Sequence, residues 1–356
     1  MSVAAVFVHY HAARWLAGAV ASFRRDHAGA EIVVVDNGSR PEERDVLRGL
    51  PASYVDAGAN RGYAGGVNLG VSQTKADYVF LLNPDVEVLP GCVGALLDVL
   101  EAGAAVAGPR LSWDRAQRLL LPPTETRTRR GELLRTLAPW RASLARAARR
   151  SWRRHARAHW LAEAPLTSWA LSGAFLALRR DAWARVGPFD EGFKLYFEET
   201  DWLERARRQG LRGCLVPAAR AVHFYNQSAA REPAAGAWFA ESARRFERRY
   251  YGAWFLAVRD RIGARLPAVA PLPAPRHERP PEVDVGPGPA WVEVSPSPLG
   301  FPAAAERLSR PERGRWTLPA EVWDHLAPGT YGGRIVDDAG EETHAFSFTR
   351  PDARRG

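Results

Sequence analysis

The chain is poor in cysteine and in lysine, and it lacks a long apolar run. Its 356 residues hold two cysteines, Cys92 and Cys214. That is too few for a disulfide framework and fits a reducing, cytoplasmic setting. No stretch of roughly 18 apolar residues occurs, so no membrane-spanning helix is expected. The opening MSVAAVFVHYHAARW carries a short apolar run without a basic lead and passes directly into His9 and His11. It reads as a first β-strand and not as a signal peptide. A phosphate loop ending in GK[ST] is missing, as is GxGxxG in its dinucleotide-binding spacing, which disfavours ATP hydrolysis and NAD binding. Lysine is confined to Lys75 and Lys194, so nearly all the positive charge of a chain with net charge +9 is arginine. Such a balance suits an anionic partner, although arginine with abundant alanine is also what a GC-rich genome produces.

What is present begins with alternating strand and helix signals. Residues 3–8 (VAAVFV) and 31–36 (EIVVVD) are short β-branched runs, and Trp15, Leu16, Ala19, Val20 and Phe23 recur between them at helical spacing. This predicts a βαβ unit with a buried parallel sheet. Further strands are expected at 78–82, 104–107 and 175–179, and helices at 92–102 and about 200–209. The whole is an open α/β sheet, in which ligands bind beyond the carboxyl ends of the strands.

Two other regions differ. Residues 127–160 hold eleven arginines against one glutamate, with Leu133, Leu137, Trp140 and Leu144 at helical spacing and Pro139 dividing two helices. This basic helical insert suits either a membrane surface or anionic ligand, or simply a solvated helix hairpin. A proline-rich linker at 261–282 separates residues 1–260 from a C-terminal segment, 283–350. Its alternating runs (AWVEVS, GRWTLP, YGGRIVD, HAFSFT) between Pro and Gly turns predict a small all-β, immunoglobulin-like sandwich.

Five motifs are candidates for chemistry. In VVVDNGS, Asp36 ends a strand, where an acid can accept hydrogen bonds from a ribose or base; an Asx turn is the plainer account. NRGYAGGVNLG (60–70) clusters glycines and asparagines ahead of a helix, a pattern suited to phosphate oxygens or to close helix packing. In LLNPDV, Asn83 and Asp85 follow a buried strand, and a carboxylate there can hold a divalent metal against a diphosphate. His223 in ARAVHFYNQSA is a candidate second ligand. The long block 171–210 brings Gly173 before a strand and LYFEETDW before a helix. Asp201 is explained by the helix dipole, whereas Glu198 and Glu199, placed ahead of the helix, are not.

Taken in order, these motifs resemble glycosyltransferase family 2, and within it the rhamnosyltransferase-like bacterial members that build cell-surface polysaccharides. The resemblance covers about residues 3–250. It implies a GT-A fold, a nucleotide-sugar donor and inverting transfer to a glycan or lipid-linked acceptor. By that analogy Asp36 contacts the nucleoside, and Asn60, Gly62, Asn68 and Asn83 belong to the donor loops. Asp85 and His223 are then the protein ligands of Mn2+ or Mg2+, and Glu199 is the catalytic base, standing where many relatives carry Asp. Glu198, Gly173 and Trp169 fall to the acceptor side or to supporting contacts. Peripheral attachment to the inner membrane face through the basic helices is expected, and no nucleic-acid module is recognisable. The alternative is a catalytically inactive nucleotide-sugar- or glycan-binding protein on the same fold.

Overall fold

The computed structural model describes residues 1–125, 127–224, 234–266, 274–309 and 314–352. In chain order the elements are β1 (Val3–His9), α1 (Ala13–Asp26), β2 (Glu31–Asp36), α2 (Pro41–Arg48), β3 (Ser53–Asp56), α3 (Gly62–Ser72), β4 (Tyr78–Leu82), β5 (Val86–Val88), α4 (Cys92–Glu101) and β6 (Val106–Ser112). Then come α5 (Arg129–Leu137), α6 (Ala142–Trp160), β7 (Leu166–Thr167), β8 (Phe175–Arg179), α7 (Arg180–Val186), α8 (Glu198–Arg208), β9 (Gly213–His223), α9 (Ala235–Tyr251) and α10 (Ala253–Gly263). The C-terminal elements are β10 (Glu282–Asp284), β11 (Ala290–Ser295), β12 (Ala304–Leu308), β13 (Arg315–Thr317), α11 (Ala320–His325), β14 (Gly329–Val336) and β15 (Glu342–Arg350). The chain divides into two compact units, 1–111 with 162–250 and 112–161 with 251–356.

The first unit is built on a mixed sheet in the order β3-β2-β1-β4-β8-β6-β9-β5, with β7 beside β9. Successive side chains of β1 point to opposite faces, and both faces are apolar. Ala5 and Phe7 enter one core with Phe23, Phe80 and Leu96. Val6 and Val8 enter the other with Val33, Val67 and Trp202. Helix α3 adds Ala64, Val67 and Val71 to that second core and lies close to β1 because Gly66 and Gly70 carry no side chain where the two meet. A Cβ at Gly66 would stand 2.5 Å from Val8 Cγ1, and one at Gly70 2.4 Å from Val6 Cγ1. Part of the glycine cluster is therefore helix packing.

Topology gathers the motif residues at one edge. β1 runs parallel to β2 and to β4, so the segments following His9, Asp36 and Leu82 emerge together. β8 runs antiparallel to β4, with Leu82 opposite Phe175, which brings the start of β8 to the same edge. Asn83 N–H donates to Ala174 O at 2.9 Å. β5 pairs antiparallel with β9, with Val86 opposite His223.

The second unit contains a four-stranded antiparallel sheet, β12-β11-β14-β15, and a β10–β13 ribbon. Helix α6 covers one face of the sheet: Trp152 and Trp160 pack with Trp291, Phe301 and Val336. Trp316 of the ribbon meets Phe346 of β15. The expected grouping put residues 127–160 with the nucleotide-binding domain. The compact units instead place residues 112–161 with the C-terminal strands. The physical reason is a set of ion pairs. Arg153 donates through Nε and Nη2 to Glu293 at 2.7 and 2.9 Å, with both side chains buried. Arg149 bonds Glu342, Arg150 bonds Glu341, and Arg157 bonds the carbonyls of Asp337 and Asp338. Four of the arginines that suggested a membrane contact, Arg149, Arg150, Arg153 and Arg157, are thus engaged inside this unit. Part of the expected linker, 267–273, lies outside the described residues. Among the described residues, no helix is long and apolar enough to cross a membrane.

Candidate active site

A cavity of about 240 Å3 opens at the gathered edge of the first unit. Of the residues singled out in the sequence, Asn60, Gly62, Asn83, Asp85, Gly173, Glu198, Glu199 and His223 line it. Asp85 Oδ1 and His223 Nε2 stand 3.3 Å apart. Strand pairing produces this proximity: His223 closes β9 opposite Val86, and Phe224 N–H donates to Asp85 O at 3.0 Å.

The two glutamates sit differently from the expectation. Helix α8 begins at Glu198, not near residue 200, so both carboxylates belong to its first turn. The cause lies immediately before them. Tyr196 and Phe197 both adopt the left-handed region, with φ of 64° and 70°, and turn the chain into the helix two residues early. Such backbone costs energy for residues other than glycine and marks sites held by their surroundings. Asp201 supplies part of the hold. Fully buried, it accepts hydrogen bonds from Arg205 Nε at 2.8 Å, Arg249 Nη1 at 2.6 Å and Tyr250 Oη at 2.7 Å. Its role is architectural, as the helix dipole suggested.

Glu199 lies over Gly173, and its Oε1 accepts from Thr200 Oγ1 at 3.1 Å. Glu198 is 4% exposed, and its Oε2 has no hydrogen-bond partner among the described residues. Burial, and then the neighbouring Glu199, push the Glu198 carboxyl well above the usual glutamate range. Tyr63 is partly buried beside them. Burial first, then Glu198, Glu199 and Asp85, push its phenol upward, and its hydroxyl donates to Gly173 O at 3.2 Å.

Residues 5–155 match the family described as Glycosyl transferase family 2. That segment belongs to glycosyltransferase family 2. The chain is 28% identical over 218 residues to the N-acetylglucosaminyl-diphospho-decaprenol L-rhamnosyltransferase of Mycobacterium tuberculosis, covering 57% of this chain and 69% of that enzyme. It is 26% identical over 199 residues to the low-salt glycan biosynthesis hexosyltransferase Agl10 of Haloferax volcanii, covering 54% and 59%. The crystal structure of GalNAc-T7 with UDP, GalNAc and Mn2+ superposes on 63% of this chain and 43% of its own, with 15% identity and a TM-score of 0.45.

The other residues expected in the family 2 site are placed less directly. Asp36 is fully buried and off the cavity wall. It accepts from Ser39 N–H at 2.8 Å and Tyr54 Oη at 2.7 Å. Burial opposes its charge, but these bonds outweigh burial and hold its carboxyl below the usual aspartate range. Asn37, next in sequence, takes the wall position. Its Nδ2 donates to Asn60 Oδ1 and Gly62 O at 3.2 and 3.1 Å, while Asn60 Oδ1 also accepts from Gly62 N–H. Gly62 has φ +74°, and a Cβ there would stand 2.6 Å from Lys194 O. Asn68 is off the wall and clamps the 189–191 turn, bonding Phe189 through N–H and carbonyl and Glu191 through Oε1. Trp169 packs against the apolar core and also does not line the cavity.

Asn37, Tyr63, Lys194 and Trp238 line the cavity without having been chosen from the sequence. Asn37 and Tyr63 each adjoin a chosen residue, which was the available signal. Trp238 carried none.

A divalent cation is implied for this family. Among the described residues, no group of three or more His, Cys, Asp or Glu is placed to hold one. The donors that fit are the adjacent carboxylate and imidazole of Asp85 and His223, a mixed oxygen and nitrogen set suited to Mn2+ or Mg2+ once diphosphate oxygens join it.

Proposed function

We propose that the protein is an inverting glycosyltransferase. It moves a sugar from a nucleotide-sugar donor, dTDP-rhamnose or a UDP-hexose, to a hydroxyl of a glycan or lipid-linked acceptor in cell-surface polysaccharide synthesis. The observation that carries this reading is the convergence of Asp85, His223 and Glu199 on one cavity wall, beside the start of α3. The reading of sugar and acceptor is supported by the relatives' names, a mycobacterial rhamnosyltransferase of N-acetylglucosaminyl-diphospho-decaprenol and a haloarchaeal hexosyltransferase of glycan biosynthesis.

Each residue then has a task. Asn37, Asn60 and the N–H groups opening α3 face the nucleoside diphosphate, where a helix N-terminus favours anionic oxygens. Asp85 and His223 would hold the cation, which when bound offsets charge on the departing diphosphate. Glu199 accepts the proton of the acceptor hydroxyl as its oxygen bonds to the anomeric carbon. The bond from that carbon to the diphosphate oxygen breaks, and the nucleoside diphosphate leaves with the electron pair. One displacement from the opposite face inverts the centre, with no second carboxylate acting as nucleophile, unlike retaining glycoside hydrolysis.

The test is a panel of nucleotide sugars assayed for binding and slow hydrolysis, with and without Mn2+. Cation-dependent hydrolysis of one donor, abolished in Glu199→Gln, is expected. Tight binding without turnover under every condition would instead favour an inactive binding protein.

A further inference from the structure

Glu198 has no place in that scheme, yet it is a buried carboxyl on the cavity wall. It is 4% exposed, and Oε2 has no partner among the described residues. A buried acceptor left without a donor is costly, and an ionised one more so. Its surroundings make ionisation worse. Glu199 follows it directly, and the Tyr63 hydroxyl, which might have donated, is committed to Gly173 O. The other charged or titratable side chains on the wall are Asp85, His223, Lys194, Tyr10 and Tyr196, and among the described residues none donates to Oε2 of Glu198. Two adjacent carboxyls in one cavity divide a single proton, and the more buried one keeps it.

We infer that Glu198 retains its carboxyl proton in the folded protein and donates it as a hydrogen bond to an oxygen of the acceptor sugar, leaving Glu199 ionised as the base. Burial and Glu199 both raise its proton affinity, which agrees with the geometry. The acceptor side is the assignment because Glu198 and Glu199 are consecutive in the first turn of α8, where the reacting hydroxyl must be read. A site built around a hydrogen-bond donor rejects ligands lacking the matching oxygen, so Glu198 is a specificity residue and not a second base. This inference rests on the transferase reading above.

Two measurements test it. Infrared difference spectra of wild type minus Glu198→Gln at neutral pH should show the C=O stretch of a protonated carboxylic acid. A wild type showing only carboxylate bands overturns the inference. In parallel, transfer to a panel of alkyl glycosides is compared with hydrolysis of the same nucleotide sugar by water. Glu198→Ala should lower transfer by about tenfold, the worth of one neutral hydrogen bond, while sparing hydrolysis. Glu198→Gln, which keeps a donor, should recover most of that loss. A Glu198→Gln variant as impaired as Glu198→Ala, or equal losses in transfer and hydrolysis, also overturns it. If the wild type hydrolyses no nucleotide sugar, the transferase reading fails, while the infrared band still decides whether Glu198 holds a proton.

Discussion

A methyl group at position 173 would stand 2.8 Å from Cγ of Glu199 and 3.1 Å from its Cδ. Gly173 is the floor on which the Glu199 side chain lies. The extra methylene of Glu over Asp therefore has a surface to rest on. Gly173→Ala is expected to displace the carboxylate and lower kcat by about a hundredfold, the cost of a misplacement near 1 Å. Donor KM should change little, and steady-state kinetics with the donor varied separate the two.

Glu199→Gln keeps size and polarity but removes the carboxylate proposed as the base. Turnover should fall by roughly 10²- to 10⁴-fold with donor affinity retained, read by calorimetry beside rate assays. Asp85→Ala should instead abolish the response to Mn2+, since it deletes the carboxylate beside His223. Equal Mn2+ activation of Asp85→Ala and wild type would remove Asp85 from the cation site.

The buried Glu198 also sets a pH dependence of stability. Its carboxyl titrates above the ordinary 4.5 when folded. Between those two values the unfolded chain has lost the proton that the folded chain keeps, so folding becomes less favourable as pH rises through this window. Glu198→Gln removes the penalty. Its Tm should exceed that of wild type at neutral pH, and the difference should vanish below about pH 4.

Glu342 has the opposite sign. Burial opposes its charge, but Arg149 and Arg153 outweigh burial and bring it down to about 2. Its stabilisation is complete above the ordinary 4.5 and is lost as pH falls toward about 2. Arg153 is the keystone of this cluster, bonding Glu293 and lying 2.9 Å from Glu342. Arg153→Met should destabilise the second unit by about 3–5 kcal/mol, because it strands buried carboxylates. Adding Glu293→Leu should recover part of the loss, measured by urea unfolding followed by circular dichroism.

Much of the first unit was legible in the sequence. Strands 31–36, 78–82 and 175–179 were read with the boundaries observed, because strands buried on both faces appear as nearly unbroken apolar runs. The start of α8 was not legible. Nothing local requires Tyr196 and Phe197 to adopt positive φ; Asp201, Arg249 and Tyr250 hold the helix they lead into. The arginines of 142–160 read as a solvated or lipid-facing surface because their partners, Glu293, Glu341 and Glu342, lie well over a hundred residues later.

The sequence by itself determined the alternation of strands and helices and offered Asp85, His223, Glu198 and Glu199 as separate candidates, since periodicity and residue chemistry are local properties. The tertiary structure decided how they are used. It put Asn37 rather than Asp36 on the wall, gathered Asp85, His223 and the two glutamates around one cavity, laid Glu199 on Gly173, and left Oε2 of Glu198 buried without a donor among the described residues. Those outcomes depend on strand register and on close approach between segments far apart in the chain, and no local pattern encodes either.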